Sequence, residues 1–143
     1  SYNEIRNFSL SKSSDASIIY ARVLDAKLPS FNENVSLVLH YNQALLDLMD
    51  DWQDMEEDVR GDMPNVFVMS VLENVPYSII KKYGITKLRN IIRNSLDSFE
   101  SPIIRLIDEY RASVKKISIP SNLVFLKLVS DHHANALSRA ISS

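Results

Sequence analysis

The chain has 143 residues, 45% of them hydrophobic, which is enough to bury a core as one domain and too apolar for a disordered segment. Its formal net charge is −2, so no global positive field draws it to nucleic acid. Cysteine is absent, which excludes disulfides, thiolate metal sites and a cysteine nucleophile.

Two glycines and five prolines leave long runs without turn signals, and this predicts an all-α fold. No apolar run approaches the roughly 18 residues that a membrane span needs. No signal peptide opens the sequence, so a cytoplasmic protein is expected.

Residues 1–11 are polar and mixed, and read as a lead-in or tail before one helical domain over 12–143. A first helix is expected from Ser13 or Ser14 to Leu28, with Ile18, Ile19, Ala21, Val23 and Leu24 as its apolar side and Pro29 as its stop. Ser30 and Glu33 have capping-box spacing and open a long helix to about Arg60, with Gly61 just past its end. A short helix follows over Asn65–Val75. Its run Val66-Phe67-Val68-Met69 is apolar nearly all round, which implies burial on several sides. Pro76 opens one or two further turns that end at Gly84. Thr86 caps a helix to about Glu100. Ser101-Pro102 reads as N-cap and first residue of a helix to about Lys116, the alternative being one long helix kinked at Pro102. Pro120-Ser121 opens the last helix, to about Ala140. The expected architecture is a bundle of five to seven helices with no internal repeat.

The long second helix carries the chemistry. Asp50 to Asp58 holds six carboxylates in nine residues. At about 100° per residue, His40, Gln43, Asp47, Asp50, Asp51, Asp54, Glu57 and Asp58 fall within an arc of roughly 120°. Leu37, Val38, Tyr41, Leu45, Leu48, Met49, Trp52, Met55 and Val59 lie on the opposite side. Like charges one turn apart weaken a helix, and its C-terminal half is where the macrodipole disfavours anions. A divalent cation would reverse that penalty, and Mg²⁺ takes oxygen ligands from one or two carboxylates together with phosphates. The alternative is a solvated face, although such faces usually carry lysine or arginine at i±4 and this one nearly lacks them.

Asp50-Asp51-Trp52-Gln53-Asp54 has the form DDxxD, and Asp54 to Asp58 has the form D-x-x-E-D. The first resembles the second aspartate-rich motif of class I isoprenoid synthases of the polyprenyl diphosphate synthase group, and the second is similar to that of squalene and phytoene synthases. Lys12-Ser13 upstream, Tyr41 before the acids, and Gly61, Asn65 and the apolar run to Leu72 after them extend the likeness over about Lys12 to Leu72. The resemblance implies the C-terminal half of an isoprenoid synthase fold. It makes Asp50 and Asp54 Mg²⁺ ligands facing an allylic prenyl diphosphate, with Asp51 and Asp58 as further ligands or supporting groups. Asp47 and Gln43 would stand behind them, and Lys12 would contact the diphosphate. No catalytic residue is assigned.

Members of that family are about twice this length and carry another aspartate-rich motif on an earlier helix. Before Asp47 the acids here are only Glu4, Asp15, Asp25 and Glu33. The expectation is therefore a part or subunit of a class I isoprenoid enzyme, inactive alone, and completed by a missing N-terminal half, its own copy or a partner chain. The other expectation is a non-catalytic helical module for protein interaction.

Adjacent His132 and His133 point about 100° apart on a helix and do not share a metal easily. His40 joins the acidic face but reads as a structural histidine. Lys81, Lys82, Arg89, Arg93, Lys115 and Lys116 read as a solvated basic surface, and Trp52 as core. No glycine-rich phosphate loop and no G-x-S-x-G elbow is present.

Overall fold

The computed structural model of the chain describes residues 1–25, 33–72, 75–96 and 101–143. Over these residues it is all-α, with eight α-helices, one 3-10 helix and no strand. Four longer helices are α1 (Tyr2–Asp25), α2 (Glu33–Gln53), α7 (Pro102–Lys116) and α8 (Phe125–Ser142). Between them lie α3 (Met55–Arg60), α4 (Val66–Val71), α5 (Tyr77–Ile80) and α6 (Ile85–Leu96), and the 3-10 turn Ser121–Leu123 leads into α8.

Polar contacts fix the relative directions. Asn34 Nδ2 donates to the Ser118 carbonyl at 2.8 Å and Asn42 Nδ2 to the Leu126 carbonyl at 3.2 Å. Arg93 stands over the Trp52 ring and donates to the Ile141 carbonyl, so the C-terminal ends of α2 and α8 lie together and the two run in the same sense. Arg111 pairs with Asp131, and Lys127 donates to the Lys115 carbonyl, so α7 runs against α8. The enclosed core includes Leu45, Leu48, Met55, Phe67, Ile92, Leu106, Tyr110 and Leu137.

The short helix α4 packs on α1, α2, α3, α6 and α7. This explains a sequence apolar on all sides: Val66, Phe67, Val68 and Val71 are all buried. The Phe67 ring lies 5.1 Å from that of Trp52, tilted by 59°. Asn65 caps α4, its Oδ1 accepting from the Phe67 and Val68 amides at 3.0 and 3.2 Å.

Several expectations need correction. Residues 1–11 are no tail but the opening turns of α1. Ile5 and Ser9, one turn apart, are buried, and Tyr110 donates its hydroxyl hydrogen to Ser9 Oγ at 3.1 Å. Arg6 Nε donates to Glu109 at 2.5 Å, and the Tyr2 hydroxyl donates to the same carboxylate. Tyr2, Phe8 and Leu10 also pack against the core, and the cross-helix polar pairs flank this face.

The long second helix is two helices. It bends at Asp54 (φ −88°, ψ 4°), yet backbone bonds from Asp54 N to Asp50 O and from Asp58 N to Asp54 O run across the bend. At its end the left-handed residue is Asp62 (φ 57°), not Gly61 (φ −85°). Met63 N donates to Asp58 O across this turn, a Schellman closure that places Asp62 where glycine is usual.

Helix α6 begins at Ile85, one residue before the expected cap Thr86, with the Gly84 carbonyl accepting from Leu88 N. Ser101 and Pro102 do open α7, although Ser101 makes no side-chain cap bond. Leu28, Pro29, Ser30 and Glu100 lie outside the described residues.

Candidate functional site: the acidic corner of α2 and α3

The acids of α2 and α3 divide by direction. Asp51, expected on the polar arc, is 2% exposed. At about 100° per residue it sits at the edge of that arc, next to the directions of Ala44 and Met55, both fully buried. There α1 and α4 close over it. Lys12 of α1 donates to Asp51 Oδ1, and the Val66 amide donates to Oδ2 at 2.9 Å. Burial pushes the Asp51 carboxyl above its ordinary value, outweighing the hydrogen bonds from Lys12 and Val66. Burial also opposes the Lys12 charge, but the hydrogen bond and charge of Asp51, with Asp47 and Asp58, hold its pKa above the usual lysine value.

Asn65 completes the corner. Its Nδ2 donates to the Asp51 carbonyl at 2.6 Å and to Asp58 Oδ2 at 2.8 Å, while its Oδ1 caps α4. One buried amide thus ties α2, α3 and α4, and Asp58 acts here as its acceptor. Gln43 Nε2 donates to Asp47 Oδ1 at 2.8 Å along α2.

Asp50 and Asp54 remain on the exposed face, one turn apart. Partial burial, then the charges of Asp47 and Asp54, raise the Asp50 carboxyl against the opposing charge of Lys12. Asp47, Asp50, Asp54 and Lys12 therefore form one electrostatic neighbourhood. The donor chemistry is the hard oxygen that Mg²⁺ prefers. Among the described residues, however, no group of three or more histidines and carboxylates is placed to hold a metal by itself. The two outward carboxylates fit an ion shared with another set of oxygens, such as phosphates, and do not fit a protein-only cage.

The basic residues that sequence reading gave to solvent also divide. Arg89 and Arg93 are half-buried and stand over the Trp52 ring, 5.3 and 5.5 Å from its centroid. Arg89 Nη2 donates to the carbonyls of Trp52 and Gln53 at 3.2 and 3.4 Å, and Arg93 Nε to that of Ile141 at 2.9 Å. Each arginine closes the carbonyl end of a helix. Once the helix breaks at Asp54, the last turn of α2 holds no basic residue, and its terminal carbonyls take a donor from elsewhere. Lys81 pairs with Asp62 and Lys115 with Asp131, while Lys82 and Lys116 are exposed.

Neither His132 nor His133 joins the acidic corner. His133 is half-buried on α8, and its buried Nδ1 finds no partner among the described residues. Among the described residues no helix is long and apolar enough to cross a membrane. No family model matches the chain, and no curated protein or solved structure matches it either.

Proposed function

We propose that this chain is part of a Mg²⁺-dependent enzyme that processes allylic prenyl diphosphates, inactive until other residues complete its site. One observation carries the reading. Asp51 and Asp58 are held inward by Lys12, Val66 N and Asn65, while Asp50 and Asp54 stay exposed one turn apart, joined by the backbone bond from Asp54 N to Asp50 O. Two carboxylates so presented suit a cation shared with a diphosphate. Bound there, Mg²⁺ would draw negative charge onto the leaving diphosphate oxygens. On this reading Asp50 and Asp54 bind, Asn65 and Asp51 hold the helices that carry them, and Lys12 supplies positive charge at the edge of the face. The opposing ligands come from a second copy or a partner chain.

The test is calorimetric titration with an unreactive allylic thiolodiphosphate, with and without Mg²⁺. Binding that needs Mg²⁺ and disappears in Asp50→Ala and Asp54→Ala supports the proposal. Metal-indifferent behaviour at every protein concentration tried sinks it.

A second reading, a helical module for protein interaction, is favoured by the entry to α8. There Val124, Phe125 and Leu128 are 45%, 54% and 67% exposed on neighbouring turns. Sedimentation of the protein alone, with and without Phe125→Ser, distinguishes a self-associating face from one that needs another chain.

A further inference from the structure

A separate cavity of about 340 Å³ lies between α3 and the segment that joins α5 to α6, away from the acidic corner. Its volume is in the range of small-molecule sites. Val59, Tyr83, Ile85 and Leu88 give it an apolar wall, and Arg60 and Lys81 stand on its rim with Glu56. Counting the lining side chains, two cations face one carboxylate. Both cations are held by exposed ion pairs, Lys81 also standing 5.7 Å from the centroid of the Tyr77 ring. Arg60 meets Glu56 at 2.7 Å with the two side chains 74% and 53% exposed, and Lys81 meets the exposed Asp62. Pairs this wet exchange readily for a better acceptor.

Gly84 forms part of the wall. It is one of only two glycines in the chain. Its backbone is not left-handed, and a Cβ built on it meets nothing within 4 Å. Neither conformation nor crowding therefore requires glycine there. It stands at the N-cap of α6, where serine, aspartate or asparagine would serve the helix better. Gly84 is exposed, and the cavity wall there is bare backbone.

We infer that this cavity binds a small organic anion, its apolar body against Val59, Tyr83, Ile85 and Leu88 and its head on Arg60 and Lys81. The site is independent of the carboxylate face and needs no metal.

The test is a ¹H–¹⁵N NMR titration in EDTA with hexanoate, hexyl phosphate and, as a neutral control, hexanol. The expected result is saturable shifts of the amides of Val59, Arg60 and Gly84 to Leu88 with at least one anion. Which anion binds tighter assigns the head group as carboxylate or phosphate. Gly84→Trp should abolish binding with the helical content retained. Arg60→Gln and Lys81→Gln, both at exposed side chains, should each weaken it about tenfold, as expected for loss of a charge-assisted hydrogen bond. Hexanol binding as tightly as the anions, anion affinity unchanged in Gly84→Trp or in both glutamine variants, or no saturable shift with any probe would overturn the inference.

Discussion

Removing the Lys12 cation isolates the carboxylate of Asp51, and the cost can be worked from the geometry. Asp51 is 2% exposed, and Lys12→Met leaves it only the Val66 amide as a hydrogen-bond donor to its side chain. Stripping one partner from a fully buried pair costs about 3–5 kcal/mol. The Lys12 side chain is 41% exposed, so water reaches the vacated position and the expected cost falls to about 2 kcal/mol. Asp51→Asn should cost less, about 1 kcal/mol, because the amide oxygen still accepts from Val66 N and the orphaned ammonium can hydrate. The double variant should then lose less than the sum of the two single losses, by a coupling of about 1 kcal/mol or more.

Acid gives the sharper signature. The folded Asp51 carboxyl already titrates above its ordinary 3.8, and losing Lys12 raises it further. As pH falls through that raised value, the native state takes up a proton that the unfolded state does not yet bind. The deficit of Lys12→Met should therefore shrink between neutral pH and about 4. Urea unfolding followed by far-ultraviolet circular dichroism and by Trp52 fluorescence, at pH 7 and pH 4.5, reads both effects. An additive double-mutant cycle, or a deficit that grows on acidification, refutes the reasoning.

Phe67→Ala should cost about 3–5 kcal/mol in the same assay, because the ring is fully buried against Trp52 at the junction of five helices. Asp62→Gly should raise the thermal midpoint by on the order of 2 °C, since it relieves a left-handed aspartate at the loss of an exposed pair with Lys81; a lower midpoint would show that the pair dominates. His40 and His133 are both held below their ordinary 6.5 by burial, with Asp47 opposing at His40. The unfolded chain protonates first as pH falls through 6.5, so both histidines withdraw stability from there downward, and unfolding midpoints of His133→Gln should depend less on pH between 7 and 5. Without Mg²⁺, Asp54→Ala should stabilise α2 by a few tenths of a kcal/mol by removing the like charge one turn from Asp50.

Helix positions were legible wherever the signal was local. The run Val66–Met69 announced a helix buried on several sides, and Ser101-Pro102 announced the start of α7. The signals failed where a distant partner decided the outcome. Asp51 differs little in sequence from Asp50, yet one is buried and the other exposed. The difference arises because α1 and α4 close over the edge of the arc where Asp51 sits, and helical angle alone does not contain that. Residues 1–11 read as a tail because Glu109 and Tyr110, their partners, stand about a hundred positions away. Arg89 and Arg93 read as surface because nothing local shows that they close the ends of α2 and α8. Of the candidate site, the acidic face was legible as a face. Its division into buried, hydrogen-bonded carboxylates and exposed ones was not.

The contacts of α1 also impose an order of events on the growing chain. Asn65 can join Asp51 and Asp58 as soon as residue 65 is made, since the loops it closes are short. Tyr2, Arg6 and Ser9 must wait for Glu109 and Tyr110. During synthesis α1 is thus made well before the helix that ties down its opening turns, and until α7 follows, the bonds from Tyr2 and Arg6 to Glu109 and from Tyr110 to Ser9 stay unmade.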